Sequence, residues 1–517
     1  MIESVIYAAL SKAPWIIVLV LLLQALRAKY NSGLNAIPGP ALAGYTDLWR
    51  FLVVWRRRPE LEHIKLHAAY GNLVRIGPRA VSVSDPAAIK IIYGLNAGFV
   101  KSDFYPVQQV VAGGRPLRSL FNSTDEKFHA KLRRAVSNAY AMSTLLNFEP
   151  LVDSTTDAFI TQLEQRFADR PGLDGVCDFG KWLQFYAFDV IGELTFSKRL
   201  GFVDKGIDAE SIIGNLEWML DYVSVVGQIP WLDKIFLKNP IRLWLSKHGL
   251  LTSKSPIAAF ALQRIQERNS EKLASTIPHS RDFLSRFLEA HAKDSSFISQ
   301  ERVTALTVAN IFAGSDTTAI SLRAIFYYLL KDPAKMAALM AELLAQQREG
   351  HFNQEAKFVK WEEVRELPYL GAVIKEALRC HPAVGLTLER VVPEQGITIC
   401  GQFLPGGTIV GCSPWVIHRS KDIYGPDSHI FRPERWLEAD SVHLSEMNSF
   451  LFSFGAGSRT CIGKNISYLE MYKVVPAILM NFELEFARPD LKWTLHNAWF
   501  VKQEGFKVRL RRRCSQG

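Results

Sequence analysis

The ten residues Phe454-Gly455-Ala456-Gly457-Ser458-Arg459-Thr460-Cys461-Ile462-Gly463 constrain the fold of this chain more than any other stretch. A free thiol titrates near ~8.5 and is mostly protonated at neutral pH. Here backbone N–H groups of a glycine-rich turn, the Arg459 side chain and a helix predicted to begin near Ile462 would all favour the thiolate of Cys461. The stretch therefore predicts a cysteine that acts as an ionised ligand.

Three glycines in this stretch let the backbone lie against a flat, bulky group, and a porphyrin is such a group. A zinc site would need further Cys or His at short spacing, and the neighbouring sequence has none. A phosphate-binding loop would need G-x-x-x-x-G-K-[ST], which is also missing here. For an isolated cysteine, the alternative is a small buried hydrophobe in a glycine-rich bend.

Phe454, Gly457, Arg459, Cys461 and Gly463 match the pattern F-x-x-G-x-R-x-C-x-G, and in this the chain resembles the cytochrome P-450 superfamily. The resemblance covers roughly residues 35 to 510. It implies haem b with Cys461 as the axial thiolate ligand of the iron, and it makes the other four residues part of the haem-binding loop. It also implies a mainly α fold with small β-sheets, in which haem lies between a long central helix and the cysteine loop.

A mostly apolar helical run from Glu301 to Leu330 is interrupted by Ala313-Gly314-Ser315-Asp316-Thr317-Thr318. Glycine and two threonines weaken a helix interior, so this cluster favours a functional reason. By itself a hydroxyl bonded to the i−4 carbonyl of a kinked helix would explain it. The six residues match the oxygen-activation motif of the family, which implies that Ala313 and Gly314 border the cofactor. It also implies that Asp316 relays protons and that Thr317 stabilises the reduced dioxygen.

Other charged residues acquire roles through the same resemblance. His129 and Arg133 share one face of a helix predicted to begin at Asp125, and they match positions that contact the haem propionates. The family usually has Trp where this chain has His129. Arg390 matches an arginine that reaches a propionate, with an exposed strand arginine as the alternative. Glu376, Arg379 and Arg435 match a buried charged triad that fixes the cysteine loop to the core.

The first 30 residues are largely apolar and predict an N-terminal membrane anchor, followed by a proline-rich hinge at 31–45 and one catalytic domain at 46–517. A cleaved signal peptide is the alternative, but Glu3 and the sequence after Leu23 fit it poorly. Arg27 and Lys29 favour a cytosolic domain, and hence a single-pass protein of the endoplasmic reticulum membrane.

Charge and cysteine usage restrict the partners. The formal net charge is +10, but the basic residues are scattered and no nucleic-acid-binding motif occurs, so a membrane or an acidic protein partner explains it. The six cysteines have no paired spacing, which favours a reducing compartment; they are Cys177, Cys380, Cys400, Cys412, Cys461 and Cys514.

These observations predict a membrane-anchored haem-thiolate monooxygenase that oxidises an apolar small molecule with O2. The chain has no flavin or nicotinamide fingerprint, so electrons would come from NADPH through a separate reductase, as the resemblance implies. General similarity is greatest to the fungal pisatin demethylase-like branch, and this suggests secondary metabolism. The alternatives are a haem-thiolate isomerase or dehydratase without external electrons, and a non-catalytic haem-binding protein.

Overall fold

The computed structural model describes residues 2–251, 256–273, 282–353 and 356–513. Cys514, one of the six cysteines, lies outside the described residues, and the other five are free thiols. The longer helices are α1 (Ile2–Tyr30), α2 (Leu48–Trp55), α3 (Pro59–Tyr70), α6 (Glu126–Val136), α8 (Glu149–Arg166), α9 (Phe179–Phe196), α11 (Ile212–Val226), α12 (Pro240–Lys247), α13 (Pro256–Leu273), α14 (Phe283–Lys293), α15 (Gln300–Gly314), α16 (Asp316–Lys331), α17 (Pro333–Arg348), α19 (Pro368–Cys380), α23 (Ser441–Phe450) and α24 (Lys464–Asn481).

Short helices connect the long ones: α4 (Ala88–Tyr93), α5 (Phe104–Val107), α7 (Met142–Leu145), α10 (Phe202–Lys205), α18 (Trp361–Val364), α20 (Pro414–Ile417), α21 (Lys421–Tyr424) and α22 (Arg435–Glu438). The strands are β1 (Leu73–Gly77), β2 (Ala80–Val83), β3 (Val100–Lys101), β4 (Val111–Ala112), β5 (Arg115–Pro116), β6 (Arg390–Val391), β7 (Ile397–Ile399), β8 (Gln402–Leu404), β9 (Ile409–Cys412), β10 (Phe482–Phe486), β11 (Thr494–Ala498), β12 (Phe500–Glu504) and β13 (Val508–Arg512). The predicted mainly α fold with small sheets is confirmed.

The largest sheet differs from the sequence-based expectation. Its strand order is β1-β2-β9-β6-β3, with β9 parallel to β2 and antiparallel to β6. The β-branched runs separated by glycine turns between residues 388 and 410 predict a second small sheet, and this prediction is wrong for β6 and β9, which belong to the first sheet. Strand propensity identifies an extended segment but not its long-range partner. Only the β7–β8 hairpin forms a sheet of its own from this region.

The central helices are two segments of the run predicted from Glu301 to Leu330. Ser299 caps α15, since its side chain accepts a hydrogen bond from the N–H of Arg302. The break between α15 and α16 falls at Ser315, whose hydroxyl bonds to the carbonyl of Ile311 at 2.8 Å, a bond that competes with the helical ladder. Both segments pack against α9, in which every residue except Lys181 is buried. The chemically unusual cluster therefore lies at the centre of the main core.

A buried carboxylate connects α19 to the segment before the cysteine loop. Glu376 is fully buried and accepts hydrogen bonds from Arg379 at 2.7 and 2.9 Å and from Arg435 Nε at 2.9 Å. Trp436 Nε1 donates to its other oxygen at 2.9 Å. Burial raises the pKa of Glu376, but the two guanidinium groups outweigh this effect and the pKa lies below its usual value. The three charged residues therefore form the triad expected from the sequence.

Removal of one arginine from this triad should be costly, because it leaves a buried charge without a full partner. We expect Arg435→Met to lower the free energy of unfolding by about 3–5 kcal/mol. The matched control is Arg432→Met, because Arg432 is 35% exposed and pairs with Asp427 and Glu438 near the surface; we expect a loss of about 0–1 kcal/mol there. Urea unfolding followed by tryptophan fluorescence measures both. Equal losses in the two variants would contradict the role given to Arg435.

Candidate active site

The cysteine loop contains two short 3₁₀ turns, Phe452–Phe454 and Gly457–Arg459. Cys461 follows the second turn, and the loop ends where α24 begins. The N–H of Cys461 donates to the carbonyl of Phe454 at 2.9 Å, which closes the loop. Gly457 has a φ of +64°, and a Cβ atom there would lie 1.6 Å from the carbonyl oxygen of Tyr93. This position accepts only glycine, because α4 approaches the loop backbone directly.

The thiol of Cys461 lies at the N-terminus of α24. Burial has the largest influence and raises its pKa, while N–H groups of Gly463 and Lys464 and the charges of Arg133 and Lys464 act in the opposite direction. The sequence predicted this N–H environment and assigned the nearby positive charge to Arg459. In the structure that charge comes from Lys464 and from Arg133, whose guanidinium donates to the carbonyl of Thr460 at 2.8 Å. Arg459 instead pairs with Glu126 at 2.6 Å.

Cys461 borders an interior space. Its side chain is accessible to solvent although burial dominates its pKa, and a residue with both properties lies in the wall of a cavity. Ala313 is likewise exposed and Thr317 is half-exposed, although Ser315, Asp316 and Thr318 around them are buried. The central helices thus present an open strip in the middle of the core.

Two connections position this strip relative to the cysteine loop. Tyr140 donates to Asn310 of α15 and accepts from Asn465 of α24 at 3.0 Å through its backbone carbonyl. About two turns further along the central helices, the hydroxyls of Thr318 and Ser467 lie 3.1 Å apart. The long central helix and the loop are therefore brought together, as the predicted fold requires.

Basic side chains gather beside this space. Lys101, Arg390 and Arg459 each lower the pKa of His129 by their charge, after burial as the largest cause, and bring it to about 3. Burial, followed by Arg390 and Arg459, also lowers the pKa of Lys101 well below its usual value. We call Lys101, His129, Arg133, Arg390 and Arg459 the basic cluster.

The basic cluster has fewer acids than bases. Glu126 pairs with Arg459, and the nearby Glu389 pairs with Arg50. Within the described ranges, no carboxylate pairs with Lys101, Arg133 or Arg390. Burying several like charges is unfavourable unless anionic groups enter among them. The cluster is therefore suited to a ligand that carries more than one carboxylate.

These residues fit haem. The two propionates of a porphyrin would supply the carboxylates that the basic cluster lacks, and the thiolate of Cys461 would bind its iron. In the described part of the chain, no group of three or more His, Cys, Asp or Glu side chains converges as a metal site. The donor set around Cys461 consequently suits an iron whose other ligands come from a macrocycle.

The structure gives two predicted residues a different local role. His129 is 3% exposed and its pKa of about 3 makes the imidazole neutral, so in this cluster it can donate a hydrogen bond but adds no charge. At Gly314, a Cβ atom would lie 2.9 Å from the side chain of Ile191. The glycine is therefore required for the contact between α15 and α9, where the sequence suggested only room for a cofactor.

Asp316 and Thr317 differ in their partners. The Asp316 carboxylate is buried and accepts from Gln184 Nε2 at 2.6 Å, and burial raises its pKa. Gln184 in turn accepts from Arg323 at 3.1 Å. Thr317 donates to the carbonyl of Ala313 at 2.8 Å. This is the bond to the i−4 carbonyl that would explain the residue without a functional role. Its half-exposed hydroxyl still borders the open strip.

Three residues that the structure brings to this site carry no signal in the local sequence. Lys101 is a lone lysine in β3, Gln184 is one of several polar residues in α9, and His418 follows α20. Each reaches its partner only through contacts between distant segments. A local motif carries no signal for such a residue.

Comparison with known proteins identifies the family. The sequence profile described as Cytochrome P450 matches residues 45–509. A protein of Aspergillus terreus named cytochrome P450 monooxygenase is 48% identical over 452 residues, which is 87% of this chain and 90% of that protein. Cytochrome P450 monooxygenase cicH of Emericella nidulans is 43% identical over 484 residues, 93% of this chain and 94% of that protein.

His418 connects the triad to the cysteine loop, and its contacts require a neutral ring. Its Nδ1–H donates to the carbonyl of Arg379 at 3.0 Å, and its Nε2 accepts from the N–H of Phe452 at 2.7 Å. Burial lowers the pKa of His418 to about 3. Below the unfolded pKa of about 6.5, the unfolded chain therefore binds a proton that the folded protein does not.

We accordingly expect the free energy of unfolding to fall as the pH drops below about 6.5, by up to about 1.4 kcal/mol per pH unit from this residue. The loss continues down to a pH of about 3, the pKa of the folded state. Urea unfolding of the wild type, His418→Asn and the control His248→Asn at a series of acidic pH values tests this. His418→Asn should show a shallower pH dependence. A slope unchanged in that variant but altered in the exposed control His248→Asn would refute the assignment.

Proposed function

Because this chain belongs to the cytochrome P450 family and is an enzyme of the monooxygenase class, we propose that it is a membrane-anchored haem-thiolate monooxygenase of fungal secondary metabolism. Its substrate would be an apolar small molecule, and two electrons per turnover would come from NADPH through a separate flavoprotein reductase. The observation that carries the proposal is that hydrogen bonds join the loop of Cys461 to Arg133 of the basic cluster, and join the helix that follows the loop to the central helices with their open strip.

Haem bound through Cys461 would supply the activation of dioxygen and the oxidising chemistry. The protein's own residues would orient it: Arg133, Arg390 and Arg459 would bind its carboxylates, and His129 and Lys101 would add hydrogen bonds. The glycine at position 457 and the closure of the loop by Phe454 would keep the sulfur at a fixed position. Gly463 would donate its N–H to that sulfur.

Proton delivery would use the two polar residues of the motif. The raised pKa of Asp316 makes its carboxyl more able to carry a proton near neutral pH than an exposed one. The charges of Lys502 and Arg323 face it, and Lys502 pairs with the half-exposed Glu217. Protons could thus pass from the surface to Asp316. Once the Thr317 hydroxyl no longer donates to the carbonyl of Ala313, this hydroxyl would present a proton to the reduced dioxygen.

We propose that the stretch around Arg115 and the helices between residues 209 and 248 line the substrate pocket. The β4–β5 turn contacts α12, where the N–H of Gly114 donates to Ser246 at 3.3 Å. This contact supports a lid made of the hairpin near Arg115 and the helices between residues 209 and 248. Substrate identity would depend on those side chains, and membership of the pisatin demethylase-like branch is part of the same proposal.

Location and partners follow from the first helix and the surface charge. Residues Lys12–Tyr30 of α1 are long and apolar enough to cross a membrane, with a mean hydropathy of 1.4. We propose a single-pass anchor in the endoplasmic reticulum membrane, with residues 46–517 as one cytosolic catalytic domain. Lys464, exposed at the start of α24, and the neighbouring Lys375 would contribute to docking an acidic reductase.

The proposed function requires a cysteine-ligated haem and external electrons. Reduced protein exposed to carbon monoxide should show the red-displaced Soret band of a thiolate ligand, and Cys461→Ser should lose it while Cys412→Ser, at a buried thiol in β9, retains it. Oxygen consumption should require NADPH and reductase. Turnover of a substrate without NADPH would favour the isomerase or dehydratase, and a normal band without any oxygen consumption would favour a haem-binding protein.

Thr317→Ala tests the proton-delivery step. We expect NADPH oxidation to continue while a larger share of its electrons is released as hydrogen peroxide, by about tenfold, because a positioned proton donor contributes about 10²–10⁴-fold to such steps. Thr304→Ala is the matched control, since Thr304 is also half-exposed and bonds to the carbonyl of Gln300 at 3.2 Å in the same way, but lies near the start of α15 and outside the motif. Equal peroxide release from the two variants would sink the role of Thr317.

A further inference from the structure

Gln184 of α9 lies between two buried charges of α16. Its Nε2 donates to Oδ1 of Asp316 at 2.6 Å, and its Oε1 accepts from the NH2 group of Arg323 at 3.1 Å. Gln184, Asp316 and Arg323 are only 2%, 5% and 2% exposed. Asp316 and Arg323 are seven residues apart, so they lie on the same face of α16. One amide therefore joins a carboxylate to a guanidinium that lies about two turns along the helix.

The amide of Gln184 fits this place in one orientation only. A carboxylate accepts hydrogen bonds and a guanidinium donates them, so the amide nitrogen must face Asp316 and the amide oxygen must face Arg323. Arg323 is itself bonded to α9, because its Nε donates to the carbonyl of Gly180 at 2.8 Å, one turn before Gln184. The side chain of Gln184 is thus held at its oxygen, and its N–H group presents a donor to Asp316 at a fixed position.

Arg323 has no acidic partner in direct contact. Among the described residues, no carboxylate lies within ion-pair distance of its guanidinium, and Asp316 is the acid whose charge most favours its charged form. Hydrogen bonds in series polarise one another in a low-dielectric interior, so the guanidinium strengthens the bond that the amide donates to the carboxylate. Gln184 consequently passes the influence of a buried charge to one oxygen of Asp316.

The other oxygen of Asp316 is left for the proton. In the described part of the chain, Oδ2 accepts no hydrogen bond, whereas Oδ1 accepts from Gln184. Burial raises the pKa of Asp316, and the charges of Lys502 and Arg323 oppose burial, as does the bond from Gln184. The charge of Glu217 acts in the same direction as burial. A proton that Asp316 carries therefore belongs on Oδ2, and the orientation of the carboxyl decides where that oxygen points.

We propose that Gln184 is a positioning residue for proton delivery, which holds Oδ1 of Asp316 so that the carboxyl takes up and releases its proton at Oδ2. The inference rests on the proposed role of Asp316 as a proton carrier. It gives α9, which contributes no residue to the motif of the central helices, a part in that step. Without Gln184, the carboxyl would lose its fixed orientation and the donor that favours its ionised form.

The first measurement follows Asp316 without turnover. The full-length haem protein is prepared as wild type, Gln184→Leu and Gln503→Leu, each with and without Asp316→Asn. The difference in the infrared absorption of protonated carboxyl groups within each pair, over a series of pH values, gives the titration of Asp316. Gln503 is the matched control, because it is also 2% exposed and its Nε2 donates to α16, but to the backbone carbonyl of Ile320 at 2.9 Å.

We expect the midpoint of this titration to rise by about one pH unit in Gln184→Leu, a tenfold change in proton affinity, because the lost bond favours the charged form of Asp316. Gln503→Leu should leave the midpoint unchanged. An equal midpoint in the wild type and Gln184→Leu, or equal shifts in the two leucine variants, would overturn the inference. The carbon monoxide spectrum shows whether each variant has kept its fold.

Gln184→Glu separates positioning from a structural role, and it decides the question if Gln184→Leu does not keep its fold. The glutamate retains an oxygen for Arg323 and so preserves the link between α9 and α16, but its carboxylate repels the ionised Asp316. A merely structural role predicts wild-type behaviour. We expect instead that, with NADPH and the reductase, the share of electrons released as hydrogen peroxide rises about threefold, because a displaced group loses much of its effect.

Combination with Asp316→Asn tests whether Gln184 acts through the carboxyl. Gln184→Leu with Asp316→Asn should release no more peroxide than Asp316→Asn alone, and additive increases would contradict the inference. If Asp316→Asn by itself leaves peroxide release at the wild-type level, the proposed proton delivery fails, and the inference fails with it. If Asp316→Asn raises peroxide release while both Gln184 variants leave it unchanged, only the inference fails and the proton role of Asp316 stands.

Discussion

The carboxylate of Glu376 is the interaction on which the cysteine loop depends. It is fully buried, and Arg379, Arg435 and Trp436 satisfy its two oxygens. Arg379 also orders the segment around Ile430, and His418 continues the connection from Arg379 to the backbone of Phe452. Because each bond in this series involves a buried polar group, the loop cannot shift without exposing one of them. These bonds thereby hold the loop that carries the sulfur of Cys461 in a fixed position.

A second constraint on the site comes from basic side chains that no carboxylate of the described residues neutralises. The basic cluster places Lys101, Arg133 and Arg390 beside the same space, while Glu126 and Glu389 are bonded to other arginines. A folded protein tolerates such a group only where an anionic ligand enters it. The buried Asp316 lies on a separate network through Gln184, so the residues proposed to bind carboxylates differ from those proposed to handle protons.

Local patterns predicted the elements well where capping and periodicity agreed. The helix predicted to begin at Asp125 formed as expected, and the Asp125 side chain caps it by accepting from the N–H of Phe128 at 3.0 Å. The placement of β9 was wrong, because its partner β2 lies more than 300 residues earlier and pairs with it in parallel. His129 lies in the basic cluster, but its neutral state depends on burial and on cations, of which Arg459, Lys101 and Arg390 come from other segments.

The sequence by itself determined the family and the order of its motifs and predicted Cys461 as the ligand, because these depend on residues close together in the chain. The tertiary structure alone decided which charges surround the sulfur, that Gly314 serves the contact with Ile191, and that Lys101 joins the basic cluster. It also showed that Gln184 joins Asp316 to Arg323. Such contacts join segments that are far apart in sequence, and their energies depend on burial, which no local pattern records.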